Sequence, residues 1–267
     1  PPPRSTLFPY TTLFRSWAVF ATLVAVLAAW EWGGLMGYGK SPRLFCAAGV
    51  AVVASLLMAL RPAAFALEAG FSETAASFAL WFYVPAALFW LLAVPLWLRQ
   101  RWRLPRGLAG LALGALIVFP TWLAMIQLRQ LGAAAMLAIM ATIWLADIAA
   151  YFSGRHFGRH KLAPNISPGK TWEGAIGAAI GVTLYGFLLL PVLPGALAEH
   201  KLLFGLSLLL LTAISISGDL FESMLKRQAG IKDSSGLLPG HGGVLDRIDS
   251  LTSTLPLVAF AWLSFLH

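Results

Sequence analysis

The chain consists mainly of long apolar runs separated by short polar connections. With a window near the ~20 residues that a helix needs to cross a bilayer, these runs predict eight membrane spans. They cover residues 17–36, 43–60, 77–98, 108–127, 131–153, 174–194, 202–218 and 251–267. Pro85, Pro95 and Pro120 fall inside spans, and we expect them to kink the helices. The pattern predicts an all-α, polytopic transmembrane helical bundle with a polar cavity facing the cytoplasm.

Composition supports this class of protein. Hydrophobic residues make up 59% of the 267 residues and charged residues 11%, and the mean hydropathy of +0.78 is too high for a soluble domain. No linker or repeat divides the chain, so we predict a single membrane-embedded domain over residues 17–267. Residues 1–16 lack helical periodicity and a signal-peptide pattern, and we interpret them as an atypical, non-native segment. The single cysteine, Cys46, excludes an intrachain disulfide and a cysteine-cluster metal site.

Basic residues are distributed unevenly between the two ends of the predicted spans. Of the 19 lysines and arginines, 14 lie in the connections after the first, third, fifth and seventh spans. By the positive-inside rule these connections are cytoplasmic, as in a multi-pass protein of a bacterial-type inner membrane. Topology and contact with anionic lipid explain the net charge of +8 better than nucleic acid, which we do not expect as a partner.

The most polar stretch is the connection after the seventh span, residues 217–249. Charge beside hydrocarbon is costly, so its concentration here indicates a functional site. Asp219 ends the apolar run, while Asp246 and Asp249 are three residues apart and share one face of a helix. Such carboxylates supply the hard oxygen ligands that Mg²⁺ prefers. The alternative, a solvated loop whose cations only set topology, explains single cations better than it explains the three aspartates together.

Residues between these aspartates favour phosphate chemistry. The Gly-rich run 239–243 lets backbone N–H groups approach a phosphate. His241 within it is a candidate hydrogen-bond donor to a phosphate or a candidate acid catalyst. The nearby cations suit a triphosphate, and arginine binds phosphate through two parallel hydrogen bonds. These cations are Lys226, Arg227, Lys232 and Arg247. Carboxylates, glycines and cations together indicate metal-assisted phosphoryl or nucleotidyl transfer.

A second polar connection, residues 153–174, contains Ser167, Lys170 and Thr171 in a Ser-Pro-Gly-Lys-Thr run. It lacks the spacing of a P-loop, so we reject that interpretation. Thr171 and Glu173 lie where the sixth span opens, and a phosphate could therefore approach a helix N-terminus.

Three further features have both a structural and a functional interpretation. Glu31 stands between two tryptophans inside the first span, where a packing hydrogen bond is favoured over catalysis. Asp147 lies inside the fifth span and is either a polar helix contact or a supporting site residue. The basic run 99–106 with Trp102 favours a topology anchor, the alternative being a contact for anionic lipid headgroups.

The five histidines do not form a credible zinc site.

Two blocks of residues resemble the phosphatidate cytidylyltransferase (CDP-diacylglycerol synthase) family. The first block is Ser223-x-x-Lys226-Arg227, Lys232-Asp233, Pro239-Gly240-His241-Gly242-Gly243 and Asp246-Arg247-x-Asp249. The second is the Ser-Pro-x-Lys-Thr-x-Glu-Gly run over residues 167–174. Together they cover about residues 147–250, and the first hundred residues resemble the family only in hydropathy and in the Glu31-Trp32 pair. The family usually has one further apolar helix upstream of the span at Trp17, so the resemblance implies that this helix is missing here.

The resemblance implies that CTP and phosphatidic acid react to CDP-diacylglycerol and pyrophosphate with a divalent metal, which we expect to be Mg²⁺. A second cation and a homodimer are left open. The expected catalytic residues are Asp219, Asp246, Lys226 and His241. The expected metal ligands are Asp219, Asp246, Asp249 and Glu173, with Asp147 and Asp233 as supporting ligands or orienters. The expected substrate-binding residues are Ser167, Lys170, Thr171, Arg227, Lys232, Gly242, Gly243 and Arg247.

Two other functions remain open at this point. A CTP-dependent transferase or kinase acting on another membrane lipid could use the same groups. An ion-coupled transporter could use carboxylates inside the spans, namely Glu31, Asp147 and Asp219. The transporter hypothesis predicts inverted-repeat symmetry and midplane polar residues, whereas the charge here gathers at one end of the spans.

Overall fold

The computed structural model describes residues 8–65, 73–193 and 195–265. Residues 1–7 of the atypical segment and the last two residues of the eighth predicted span lie outside this range. The helices are α1 (Phe8–Leu35), α2 (Lys40–Leu60), α3 (Glu73–Leu88), α4 (Val94–Gln100), α5 (Gly107–Leu128), α6 (Ala133–Phe157), α7 (Trp172–Leu189), α8 (Gly195–Glu199), α9 (Lys201–Gln228) and α10 (Leu245–Phe265). Short turns of 3₁₀-helix cover Pro62–Phe65, Arg129–Leu131 and Leu190–Val192.

The predicted all-α polytopic bundle is confirmed. Within the described ranges, seven helices are long and apolar enough to cross a membrane. The eighth predicted span corresponds to α10, which has 21 residues and is not one of these seven. Helix α1 begins at Phe8, upstream of the start predicted at residue 17. The cytoplasm-facing cavity stays a prediction.

The third predicted span is one helix with an internal change of pitch. A π-helical turn at Phe89–Ala93 joins α3 to α4, and Pro85 and Pro95 flank it. Proline removes a backbone donor, and a π turn absorbs the resulting mismatch in the hydrogen-bond ladder. Pro120, by contrast, lies within the continuous helix α5.

Helix α9 extends beyond the end of the seventh predicted span at residue 218 and runs to Gln228. The apolar pattern predicted that the span ends at residue 218 because charged residues begin at Asp219. The helix continues because apolar side chains between the charges stay buried, among them Phe221, Met224 and Leu225. Glu222 and Lys226 also form an i, i+4 ion pair along it. The charges of this segment therefore lie on a rigid helix.

The core has two parts. The larger hydrophobic cluster joins α1, α3, α5, α9 and α10, and Trp90, Trp122 and Tyr83 are its largest fully buried side chains. A smaller cluster joins α6, α7 and α9. Helix α2 packs on α1 at the periphery, with only Ala47 and Ala54 buried among its residues. Helix α9 contributes to both clusters and so connects the two halves of the bundle.

A short antiparallel hairpin, not expected from the sequence, lies between α6 and α7. Strand β1 (Lys161–Ala163) pairs with β2 (Ser167–Thr171), with Lys161 opposite Thr171 and Ala163 opposite Ser167. Thr171 then caps α7, its Oγ1 accepting a hydrogen bond from Gly174 N at 3.1 Å. The predicted opening of the sixth span at this threonine is confirmed. The hairpin fixes Lys170 one residue before the helix.

The basic connections gather at one end of the bundle, as the charge asymmetry predicted. Lys170 of the hairpin contacts Asp219 of α9, and the loop over residues 229–244 contacts Glu31 near the end of α1. Gln228 at the end of α9 bonds the backbone of the connection between α4 and α5. The side of the membrane that this end faces stays a prediction.

Close approach of α9 and α10 requires glycine at position 218. A Cβ atom there would lie 2.4 Å from Ser253 Oγ and 3.1 Å from the Asp249 carbonyl oxygen. Replacing Gly218 with alanine should push the helices apart and lower the free energy of unfolding by about 1–3 kcal/mol, the usual cost of overpacking. Thermal unfolding in detergent measures this cost. Gly205→Ala is the matched control on the same helix, because its Cβ would meet Phe187 at an ordinary 3.5 Å. Equal melting temperatures for both variants would contradict the prediction.

Candidate functional site

The polar residues of α9 lie on one face of the helix. Asp219, Glu222, Ser223 and Lys226 recur at intervals of three and four residues, which stacks their side chains. Ser223 Oγ donates a hydrogen bond to Asp219 Oδ1 at 3.1 Å. This face meets the N-terminal turn of α10, which carries Asp246 and Asp249. Two helices therefore bring the three predicted aspartates to the same end of the bundle.

Lys226 and Asp246 form a largely buried ion pair at the centre of the site. Lys226 Nζ lies 2.6 Å from Asp246 Oδ1 and 3.2 Å from Glu222 Oε1. Asp246 is 8% exposed, so water screens the pair poorly and loss of either partner would leave a buried charge uncompensated. The structure thus joins two predicted catalytic residues.

Asp246 also organises the 229–244 loop. Its Oδ2 accepts hydrogen bonds from Ser234 N at 2.8 Å, Ser234 Oγ at 2.9 Å and Gly243 N at 2.7 Å. Gly242 has a φ of +78°, and a Cβ there would lie 2.8 Å from the same oxygen. The Gly-rich run therefore wraps the Asp246 carboxylate. Among the described residues, Oδ1 accepts a hydrogen bond only from Lys226, which leaves one of its two lone pairs for a further ligand.

Glu31 of α1 holds the same loop from the other side. Its fully buried carboxylate accepts hydrogen bonds from Ser234 Oγ at 3.0 Å and Ser235 Oγ at 2.6 Å. It also accepts from Val244 N at 2.9 Å and Leu245 N at 2.6 Å. These two backbone N–H groups have no acceptor within the helix because they lie at the start of α10, and a carboxylate satisfies such groups well. The predicted packing hydrogen bond of Glu31 is thus a four-donor anchor of the loop.

A second ion pair joins the hairpin to α9. Lys170 Nζ lies 2.5 Å from Asp219 Oδ2, and the two side chains are 22% and 27% exposed. Asp219 lies one turn before Ser223 on α9, so this contact brings the second sequence block next to the helix that carries the start of the first. Close packing of α6 against α7 fixes the hairpin, since a Cβ on Gly174 would lie 2.8 Å from the Ala150 carbonyl oxygen.

Carboxylates outnumber lysines in this cluster. Asp147 of α6 interacts electrostatically with Asp219 and Lys170, and Asp249 interacts with Asp219 and Asp147. Glu222 is 5% exposed, and beyond its ion pair with Lys226 its oxygens accept no hydrogen bond from the described residues. When all five carboxylates are ionised, the two lysines do not balance them, and either protons or a bound cation would relieve the repulsion.

The donor set suits a hard divalent cation, because every candidate ligand is a carboxylate oxygen. However, within the described ranges no three His, Cys, Asp or Glu side chains form a preassembled metal cage. Ser223 contacts Oδ1 of Asp219 and Lys170 contacts Oδ2, and each carboxylate oxygen has two lone pairs. The predicted Mg²⁺ and its four ligands stay predictions.

Several predicted site residues lie away from these carboxylates. Glu173 pairs with His160, whose Nδ1 lies 2.6 Å from Glu173 Oε1 and whose backbone N–H bonds the same carboxylate. His241 Nδ1 contacts the Pro239 carbonyl oxygen at 3.1 Å. The other residues are exposed on the surface of this end, and the structure gives none of them a hydrogen bond to the cluster within its described part. They are Arg227, Lys232, Asp233 and Arg247.

Two residues of the site received no role from the sequence. Glu222 was recognisable only as one charge among many, although its spacing from Asp219 and Lys226 places it on their helix face. The Ser234 hydroxyl lies between Glu31 Oε2 and Asp246 Oδ2, which share its single proton. No local pattern marks such a serine, because its two partners are distant in sequence or belong to the next helix.

Fold and site together define a polytopic membrane protein whose lysines and carboxylates meet at one end of the bundle, in a setting suited to phosphate groups and a cation. A family model described as the cytidylyltransferase family matches residues 6–265. The chain belongs to this family.

Curated relatives are consistent with this assignment. The chain is 44% identical over 254 residues to a phosphatidate cytidylyltransferase of Pseudomonas aeruginosa, an alignment that covers 91% of this chain and 86% of the relative. A phosphatidate cytidylyltransferase of Haemophilus influenzae is 49% identical over 127 residues, which is 47% of this chain and 44% of the relative. One of Thermotoga maritima is 43% identical over 132 residues, 48% of this chain and 49% of the relative.

Proposed function

We propose that this chain is a phosphatidate cytidylyltransferase, which transfers the CMP moiety of CTP to phosphatidic acid. The products are CDP-diacylglycerol, an intermediate of phospholipid biosynthesis, and pyrophosphate. One observation carries the proposal: Lys170 of the second block pairs with Asp219, one turn before the first block on α9, and Lys226 pairs with Asp246 inside the first block, so the two blocks lie together at one end of an apolar bundle. The similarity to phosphatidate cytidylyltransferases of Pseudomonas, Haemophilus and Thermotoga supports it.

The reaction brings two polyanions together. A phosphate oxygen of phosphatidate forms a bond to the α-phosphorus of CTP, and the bond from this phosphorus to the oxygen of the departing pyrophosphate breaks. The attacking phosphate is already ionised near neutral pH, so no strong general base is required. The protein must instead orient both phosphates and stabilise the charge on the leaving group.

Lys170 and Lys226 are the cations best placed to do this. Both side chains are partly buried and paired with carboxylates. Each lysine could therefore release its carboxylate and bind a phosphate while its ammonium group stays within the site. The backbone of Gly242 and Gly243 lies against Asp246, the partner of Lys226. Arg227, Lys232, Arg247 and His241 are proposed to contact the triphosphate from the exposed rim. Ser167 and Thr171 belong to the strand that carries Lys170.

Asp219 and Asp249, with the free lone pair of Asp246, are the proposed metal ligands, and Glu222 and Asp147 add negative charge around them. When bound, a divalent cation would neutralise phosphoryl oxygens and act as a Lewis acid. Glu173 is less suited to this role, since His160 engages its carboxylate. We further propose that the site faces the cytoplasm of a bacterial inner membrane, because nucleotides are found there and most basic connections lie at this end.

The direct test is formation of CDP-diacylglycerol from CTP and phosphatidate by purified protein in detergent. We expect activity with Mg²⁺, its loss with EDTA, and recovery when Mg²⁺ is restored. A polyprenol acceptor run in parallel distinguishes another lipid substrate. CTP turnover in the absence of a sealed membrane excludes an ion-coupled transporter. Product formation that is unaffected by EDTA would contradict the metal proposal, and no product from phosphatidate would contradict the function.

A further inference from the structure

The end of α4 and the connection to α5 carry a dense group of cations that receive no role in the proposed transfer reaction. We call residues 99–106, the last two residues of α4 and this connection, the arginine loop. Its four arginines are all exposed, and in the described part of the chain no carboxylate forms an ion pair with any of them. They are Arg99, Arg101, Arg103 and Arg106. Trp102 stands among them and is 48% exposed.

The arginine loop is held in one conformation by specific contacts. Arg101 has a φ of +52°, a left-handed conformation that residues with a Cβ adopt rarely. Trp97 Nε1 donates a 2.7 Å hydrogen bond to the Trp102 carbonyl oxygen, and the two indoles meet edge to face at 5.6 Å. Trp97 in turn packs on Phe221, a buried residue of α9. The loop is therefore tied to the bundle core.

Gln228, the last residue of α9, completes the attachment. Its Nε2 donates to the Trp102 carbonyl oxygen at 2.8 Å, and its Oε1 accepts from Leu104 N at 3.0 Å. Only a side chain with both a donor and an acceptor can make this pair of bonds. Gln228 lies two residues after Lys226, so the same helix end carries the site lysine and the clamp. The arginine loop is thereby fixed beside the catalytic end of α9.

We propose that the arginine loop is an accessory binding surface for the phosphate headgroups of anionic lipids in the adjacent leaflet. Four unpaired guanidinium groups complement phosphate in charge and in hydrogen-bond geometry. An exposed tryptophan beside them is typical of residues that sit at headgroup level. A loop serving only as a topology signal would need the charges but not the ordered backbone. This surface is separate from the site proposed for CMP transfer.

The test uses full-length protein reconstituted into nanodiscs of equal parts phosphatidylcholine and phosphatidylglycerol. After graded delipidation, native mass spectrometry counts each lipid retained per protein. We expect the parent protein to retain phosphatidylglycerol preferentially. In a variant with Arg99, Arg101, Arg103 and Arg106 all changed to glutamine, the ratio of retained phosphatidylglycerol to phosphatidylcholine should fall at least about fivefold. This is the change expected from the loss of even one cation near an anionic surface.

Two matched variants make the result specific. Gln228→Leu keeps all four arginines but removes both clamp bonds, and it should lose part of the preference. Arg61→Gln removes an exposed arginine from the connection at the opposite end and should retain the parental preference. Equal retention by the parent and the four-arginine variant would overturn the proposal. Because the readout is lipid retention, it is independent of whether the protein transfers CMP.

Discussion

Asp246→Asn should reduce the rate of CDP-diacylglycerol formation at least about 100-fold, because loss of one preorganised electrostatic group at an active site typically costs about 100-fold to 1,000-fold in kcat. The substitution leaves Lys226 without its 2.6 Å partner. It also places an amide where Ser234 and Gly243 donate three hydrogen bonds. An asparagine has one acceptor oxygen, so its NH2 group faces Lys226 in one orientation and the donors of Ser234 and Gly243 in the other. The charge that balances Lys226 is lost in both orientations.

Initial rates at saturating CTP and phosphatidate measure this effect. Glu199→Gln is the control, since it removes an exposed carboxylate at the opposite end of the bundle and should leave the rate unchanged. A double variant with Lys226→Met separates the causes. If loss of the ion pair causes most of the fall in rate, the double variant should be only slightly slower than Asp246→Asn alone. An Asp246→Asn protein with near-parental turnover would show that the pair is dispensable.

Glu31→Gln should lower turnover about tenfold or more and destabilise the 229–244 loop, although we assign Glu31 no contact with substrate. The glutamine amide would face four donors with only one oxygen. Whichever way the amide turns, its NH2 group replaces the acceptor of one backbone N–H, that of Val244 or that of Leu245, at a cost of about 1–3 kcal/mol. The loop that presents Gly242, Gly243 and His241 would then lose its fixed position.

A positioning role predicts more than a loss of rate. Limited proteolysis should cleave the Glu31→Gln variant faster within the 229–244 loop, and KM for CTP should rise with the fall in kcat. Thr22→Val serves as the comparison, because Thr22 lies in the same helix and bonds Trp122 and the Ala18 carbonyl oxygen, away from the loop. Parental proteolysis and KM in Glu31→Gln would exclude an anchoring role.

Membrane class, helix order and the two polar segments could be predicted because they depend on local composition. A run of apolar residues long enough to cross a bilayer has few alternatives to a helix. The end of α9 was placed too early for the same reason, since hydropathy alone ends the span at Asp219. Burial of Phe221, Met224 and Leu225 continues the helix, and burial depends on neighbours that hydropathy does not contain.

The partners of individual charges were decided by the tertiary structure. Spacing placed Asp246 and Asp249 on one face, yet only packing gave Asp246 its bonds to Lys226, Ser234 and Gly243. Likewise, only the structure pairs Glu173 with His160, and its role as a metal ligand stays a prediction. Such contacts join residues on different elements, and their geometry depends on helix crossings.

The sequence by itself therefore determined a helical membrane protein with phosphate chemistry at one end, because hydropathy and residue type are properties of each segment alone. Only the tertiary structure decided that Glu31 holds the 229–244 loop and that Gln228 fixes the arginine loop. Each of these contacts spans more than 120 residues. A hydrogen bond requires two groups within about 3 Å, and only the packed helices bring such distant groups that close.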